Sequence, residues 1–244
     1  MGYILKLPTA GDTSLPTLGD IGYVSKQNLK GLYLIDGANG LTDASGNGNH
    51  LSLLNGSLTP PYSNGVLQFR SANAQRLSTG IAVTGPNETI ITVYRKLSAP
   101  SNGQNIFGHG IGLSTDDTSP MSLIDSFDAT AGKVVKIFGL QAKRPEITFG
   151  DNGVGVWRCV IGVRDQNGVS ISTNGSALVT QLYASAQPGA TTSYVDIGET
   201  AAGFRHLDAD LGLFAVYERA LTSAEIASTY KAIKRIMTAK GIAI

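Results

Sequence analysis

Gly31-Leu-Tyr-Leu-Ile-Asp-Gly-Ala-Asn-Gly-Leu-Thr-Asp-Ala-Ser-Gly-Asn-Gly-Asn-His50 reads as a strand that breaks into a turn-rich loop. Its counterpart near the far end, Asp210-Leu-Gly-Leu-Phe-Ala-Val-Tyr-Glu-Arg-Ala-Leu-Thr-Ser-Ala-Glu-Ile226, reads as a strand, a short bend and a capped helix. The chain between them consists of short apolar or alternating runs separated by turn signals. Eight Asn-Gly dipeptides occur, at Asn39, Asn47, Asn55, Asn64, Asn102, Asn152, Asn167 and Asn174. Asn tolerates a positive φ and Gly has no Cβ to clash, so Asn-Gly between alternating runs marks a tight hairpin. The pattern predicts antiparallel strands at Gly31–Ile35, Val66–Phe69, Thr89–Arg95, Lys133–Phe138, Val156–Val163, Val169–Ser172, Tyr194–Ile197 and Leu211–Tyr217. Many short strands with frequent turns predict a sandwich or barrel.

The run Trp157 to Gly175 is a miniature of this pattern. Cys159, Ile161 and Val163 alternate onto one face, Asn167-Gly168 turns the chain, Val169 and Ile171 return, and Asn174-Gly175 turns it again. The final element has a different period. Thr222 and Glu225 have the spacing of a capping box, in which each residue's side chain satisfies the other's backbone amide, and Leu221 with Ile226 forms a hydrophobic staple. Ile226, Tyr230, Ile233 and Met237 recur at helical spacing, and Gly241 supplies a stop, so a helix is expected over about 223–240 and against the outside of the sandwich.

These framing segments, with the Asp165-turn-strand-Asn174-Gly175 run, resemble the concanavalin A-like (laminin G-like) jelly-roll family. The resemblance implies an all-β antiparallel jelly-roll sandwich over residues 27–244, with one C-terminal helix that is longer than the family's usual one. The fold alone assigns no activity, since lectins, glycan hydrolases, adhesion modules and viral surface proteins share it. Residues 1–26 differ in character. Pro8 and Pro16 interrupt any periodicity, while Tyr3, Ile4, Leu5, Leu7, Leu15 and Leu18 provide apolar handles. A solvated tail is poorer in leucine and richer in charge, so this segment is expected to be an extended arm docked on its own domain or a neighbouring subunit.

Composition narrows the partners. The 244 residues carry 19 Lys and Arg against 18 Asp and Glu, which leaves no positive excess to hold a phosphate backbone; nucleic acid is not an expected partner. Nor is a membrane, because no stretch approaches about 18 consecutive apolar residues. The N-terminus lacks the pattern of a secretory signal, so folding in a cytoplasm is expected. Cys159 is the only cysteine and sits in an apolar run, which predicts a buried, inert thiol.

The search for chemistry is mostly negative. Glycan hydrolases of related sandwiches place alternate carboxylates on one strand, flanking the scissile bond; Glu88, Glu146, Glu199, Glu218 and Glu225 show no such spacing and read as loop, edge or capping residues. His50, His109 and His206 fall in separate glycine-rich or polar loops without zinc-ligand spacing. Asp116-Asp117 and Asp125 with Asp128 read as solvated loop pairs. No catalytic residue and no cofactor are expected. Asp43, Asn47 and Asn49 are the candidate ligands for calcium, which favours clustered oxygens, although Asp and Asn equally favour tight turns. Tyr62, Phe127, Tyr183 and Phe204 fall in expected loops and are the candidate aromatic contacts for a glycan, whose sugar faces stack on rings; Trp157 starts a core-like strand and is expected to be packed.

Two functions from different classes follow. The resemblance extends to phage capsid-decoration and tail-associated proteins, and the apolar arm suits docking, so the first expectation is a non-catalytic structural protein of a bacteriophage virion, assembled in the host cytoplasm as a homo-oligomer with other virion proteins. The alternative is a lectin-like module that recognises a cell-surface glycan.

Overall fold

The computed structural model describes residues 26–36, 40–54, 57–73, 75–98, 104–109, 121–128, 132–139, 143, 145–149, 153–186, 194–198 and 207–244. Apart from Lys26, the expected arm lies outside the described residues, as does Phe204. The described strands form two antiparallel sheets. From edge to edge the first is β13 (Val179–Leu182), β12 (Gly168–Thr173), β11 (Trp157–Arg164), β6 (Glu88–Lys96), β15 (Ala209–Tyr217), β4 (Val66–Phe69) and β3 (Tyr62–Ser63). Strand β1 (Leu29–Tyr33) shares an edge of β15 with β4: it pairs with Phe214–Tyr217 while β4 pairs with Ala209–Leu211. The second sheet is β10 (Glu146–Phe149), β9 (Gly132–Gly139), β8 (Met121–Asp128), β7 (Gln104–His109), β14 (Tyr194–Gly198), β5 (Arg76–Ala82) and β2 (Ser52–Leu53).

Strand period 2 sends neighbouring side chains to opposite faces, and the first sheet uses both. Ile90 and Tyr94 of β6, Val160 of β11, and Leu211, Phe214 and Val216 of β15 enter the core between the sheets, where the Phe214 ring lies 5.8 Å from Phe107 and 6.2 Å from Tyr33. Ile91, Val93, Cys159, Ile161, Val163, Leu213, Ala215 and Tyr217 form a second cluster on the outside of the same sheet. The helix α1 (Ser223–Ala239) supplies Ile226, Ala232, Ile233, Ile236 and Met237 to that cluster. Each large aliphatic side chain so covered contributes about 1.5–3 kcal/mol. Val169 and Ile171 face the inner core, so the two strands of the Trp157–Gly175 hairpin offer their apolar rows to opposite layers.

The helix start is the expected one. Thr222 accepts from the Glu225 amide at 3.3 Å, and the Glu225 carboxylate accepts from the Thr222 amide at 2.9 Å. Arg219 donates to the same carboxylate at 2.6 Å, and together these bonds pull Glu225 down to about 2. Leu221 and Ile226 are both buried, completing the staple. The helix ends at Lys240, whose ammonium donates to the carbonyls of Leu34, Ile35, Gly65 and Gly212, and Gly241 takes a left-handed φ of 74°. Cys159 is fully buried, and burial pushes its thiol up to about 12.

Several polar residues expected in solvated loops lie in strands instead. His109 ends β7 and is buried with its Nε2 2.6 Å from Oε1 of Glu88, which is itself fully buried at the start of β6. Arg164 reaches the other oxygen of Glu88 at 3.4 Å. Asp125 lies in β8, not in a loop, and receives Lys96 Nζ at 2.9 Å and the Tyr94 hydroxyl at 2.8 Å. Tyr94 is consequently held well above the usual tyrosine range, by burial and by the Asp125 charge. Buried charges persist where they are paired, and both of these groups join one sheet to the other. Their polar letters hid β7 and β8 from a reading based on apolar runs. Phe127 likewise belongs to β8 rather than to a loop.

Candidate functional site

The two sheets present very different outer faces. Helix α1 covers the apolar part of the first; over the second sheet no described element packs in this way, although Ser78, Asn105 and Ser122 on that face are buried. The outward residues of the second sheet follow from its inward ones. Val195 and Ile197 are fully buried in the core, so Tyr194 and Asp196 of β14 point outward. Leu77 and Ile81 point in, so Arg76, Ser78 and Gly80 of β5 point out. By the same alternation Gly108 of β7 and Ser122 of β8 lie on the outer face, beside Asn105 at a β-bulge.

These residues meet in register. Asp196 is the direct partner of Ser78 on one side and of Gly108 on the other, Gly108 is paired with Ser122, and Gly198 is paired with Arg76. A Cβ on Gly108 would come within 3.2 Å of Ser122 Cβ, so glycine keeps the floor low there; above Gly80 the space is open. Asp196 accepts a hydrogen bond from Ser78, yet burial raises its carboxyl above the ordinary range, outweighing the lowering by that bond and by the Arg76 and His109 charges. Among the described residues, Asp196 Oδ1 and Arg76 Nε are both buried with no partner. A buried acceptor and a buried donor left open on one face are costly unless something completes them. The Tyr194 ring beside them is 52% exposed.

The residues singled out in the sequence are distributed elsewhere. Tyr62 is half-buried in β3 and packs against the inner core. Tyr183 is 8% exposed and belongs to that core, so it does not present the exposed ring expected of it; its amide, just past β13, donates to the Asn167 carbonyl at 2.8 Å. Trp157 is half-buried, packed against the outer cluster with the Arg95 guanidinium 5.1 Å from its ring centroid.

Asp43, Asn47 and Asn49 do come together, as a clip on β1. Asp43 Oδ1 accepts from the Leu32 amide at 3.0 Å and the Ser45 amide at 2.8 Å, and its Oδ2 accepts from Ser45 Oγ at 2.8 Å and the Asn49 amide at 3.1 Å. The amide side chains of Asn47 and Asn49 donate to the carbonyls of Leu29 and Lys30 at 2.7 and 2.8 Å. The bonds to Asp43 hold its carboxyl below the ordinary value despite burial. This arrangement does not fit calcium, which takes 6–8 oxygen ligands: both carboxylate oxygens already face N–H and O–H donors. Among the described residues no group of three or more His, Cys, Asp and Glu is placed to hold a metal, and no helix is long and apolar enough to cross a membrane.

The candidate residues that sequence reasoning did not single out are Arg76, Ser78, Gly108, Ser122, Tyr194 and Asp196. The available signal was the expected strand Tyr194–Ile197, whose alternation puts Tyr194 and Asp196 on the face opposite two core residues. A glycosidase-like pair of carboxylates is not formed on this face by the described residues. Glu146, an outward carboxylate of β10, lies four strands from Asp196, roughly 19 Å at about 4.8 Å per strand, whereas paired catalytic carboxylates stand about 5–9.5 Å apart.

Comparison with known proteins gives the same fold. Residues 93–227, more than half of the 244, match the concanavalin A-like lectin/glucanases superfamily. No curated protein matches the sequence. Among solved structures, domain 4 of AbnA, an extracellular arabinanase from Geobacillus stearothermophilus solved with arabinotriose, is similar over 83% of this chain and 98% of that one, with 14% identity and a TM-score of 0.61. Trypanosoma rangeli sialidase is similar over 86% of this chain and 33% of its own, at 14% identity and a TM-score of 0.59. The receptor-binding domain of botulinum neurotoxin type G is similar over 85% and 52%, at 14% identity and a TM-score of 0.58. The chain thus spans about a third of the sialidase and about half of the toxin domain.

Proposed function

The chain belongs to the concanavalin A-like lectin/glucanases superfamily, and from that premise we propose that it is a non-catalytic carbohydrate-binding module whose site is the polar outer face of the second sheet, entered at the exposed Tyr194. The observation that carries this reading is the pair of unsatisfied buried atoms, Asp196 Oδ1 and Arg76 Nε, beside the exposed ring of Tyr194. A sugar supplies the matching parts: hydroxyls that donate to a carboxylate and accept from a guanidinium, and a C–H-rich ring face that lies on an aromatic. The open space over the exposed Gly80 suits a ligand lying against this face. The presence of arabinotriose in the AbnA domain structure is in keeping with this reading.

A glycan array probed with the wild-type chain, with Asp196→Asn and with Tyr194→Ala tests it. Retention of at least one oligosaccharide by the wild type, weakened at least tenfold in both variants, is the expected result; equal retention by all three would overturn it. Because only the ionised Asp196 is a full acceptor, binding should weaken as pH falls through its raised pKa.

The setting we propose for this module is a phage virion, assembled in the host cytoplasm, with residues 1–26 as the docking arm. The support is the sequence of the arm, whose Tyr3, Ile4, Leu5, Leu7, Leu15 and Leu18 would remove several hundred Å² of apolar surface from water, worth several kcal/mol at about 25 cal/mol per Å². Light scattering on the full chain and on residues 27–244 checks it: the full chain should assemble and the truncated one should not.

A further inference from the structure

The outer face of the first sheet carries a second polar constellation, beyond the end that α1 covers. Four residues on adjacent strands stand in one register row: Gln68 of β4 opposite Asp210 of β15, Asp210 opposite Arg95 of β6, and Arg95 opposite Trp157 of β11. The row crosses three strand spacings, about 14 Å. Arg70, just past β4, joins it by donating to Asp210 Oδ1 at 3.1 Å, while Arg95 donates to Oδ2 of the same carboxylate at 2.5 Å.

The charge does not balance. Two guanidiniums share one carboxylate whose side chain is 3% exposed, yet their own side chains remain 34% and 37% exposed. Each is also fixed by a second contact: Arg70 donates to the Phe69 carbonyl at 2.7 Å, and Arg95 lies over the Trp157 ring. Arg95 Nε is buried with no partner among the described residues, so it is the terminal nitrogens that face solvent. A surface ion pair needs neither the second arginine nor the second anchors. Two guanidiniums oriented in advance, with N–H groups still facing solvent, are suited to bidentate recognition of an oxyanion, and the ordering cost is met before the ligand arrives. The row itself is extended, with an amide at one end and an indole at the other, which suits a chain rather than a lone ion.

We propose that Arg70 and Arg95, held by Asp210 and Trp157, form a second ligand site that takes the carboxylate of an acidic oligosaccharide laid across the first sheet. This site is on the opposite layer from Tyr194 and Asp196 and does not depend on them. The oxyanion would accept from both guanidiniums, and Gln68 would bond a neighbouring hydroxyl.

Trp157 is the chain's only tryptophan, so its fluorescence reports from this row. Full-length protein titrated with trigalacturonate should show a saturable change, which maltotriose at the same ionic strength does not produce, and the apparent affinity should fall as salt is raised. Arg70→Gln keeps the Arg95–Asp210 bond and should weaken trigalacturonate at least tenfold, with thermal melting used to confirm folding. Asp196→Asn should leave this titration unchanged. No saturable change in the wild type, an undiminished response in a folded Arg70→Gln, or an equal response to sodium sulfate at matched concentration would overturn the assignment.

Discussion

The two outer faces of the sandwich solve opposite problems. On the first sheet, Ile91, Val93, Cys159, Ile161, Leu213 and Ala215 give an apolar surface that must be covered, and α1 covers it with Ile226, Ile233, Ile236 and Met237. On the second, Arg76, Ser78, Asn105, Gly108, Ser122, Tyr194 and Asp196 give a polar layer, largely buried, in which a carboxylate oxygen and a guanidinium nitrogen have no partner among the described residues. The helix-covered part of the first sheet serves stability, and the polar face of the second is where we place the glycan site. The contrast also explains why the strands of the first sheet read as almost continuous apolar runs, a pattern expected when both faces are buried, while those of the second are broken by polar letters.

Variants can break or sharpen this contrast. The largest effect is expected inside, where the layers are joined: Lys96→Met strands the buried Asp125 carboxylate and should cost about 3–5 kcal/mol in urea unfolding. Ile236→Ala, at the fully buried centre of the helix contact, should cost about 2–5 kcal/mol while leaving oligosaccharide binding by the folded fraction unchanged. If binding were lost along with stability, the two faces would not be independent.

Asp43 gives the next largest effect and a pH signature. Its folded pKa lies below the ordinary value, so its contribution is present above the unfolded pKa and is lost as pH falls through the folded one. Asp43→Ala should therefore cost about 1.5–3 kcal/mol at neutral pH and flatten the acid limb of the stability curve. Because its oxygens are already engaged, chelator should leave the melting temperature of the wild type unchanged. Asp196→Asn should show the smallest stability change, since the wild-type carboxylate is raised by burial and short of partners; any change should be a gain, while affinity falls.

What could be read in the sequence was local. The capping box at Thr222 and Glu225, the staple of Leu221 and Ile226, the Asn167-Gly168 hairpin and the burial of Cys159 each depend on residues a few positions apart. The elements that escaped depend on distant partners. Glu88, His109 and Asp125 look like loop residues until Glu88 meets an arginine 76 positions away and Asp125 a lysine 29 positions away. The candidate site is more dispersed still, since Ser78, Gly108, Ser122 and Asp196 come from four strands and no motif links them. Tyr183 shows the converse error: its place in an expected loop suggested exposure, but the ring lies in the core.

The most direct measurement is amide chemical-shift mapping of the full chain with the strongest oligosaccharide from the array. The account predicts shifts concentrated at Arg76, Ser78, Gly108, Tyr194 and Asp196, with α1 from Ser223 to Ala239 unmoved. Shifts confined to the helix-covered face or to the Asp43 loop, or no saccharide that shifts any of these amides, would contradict it.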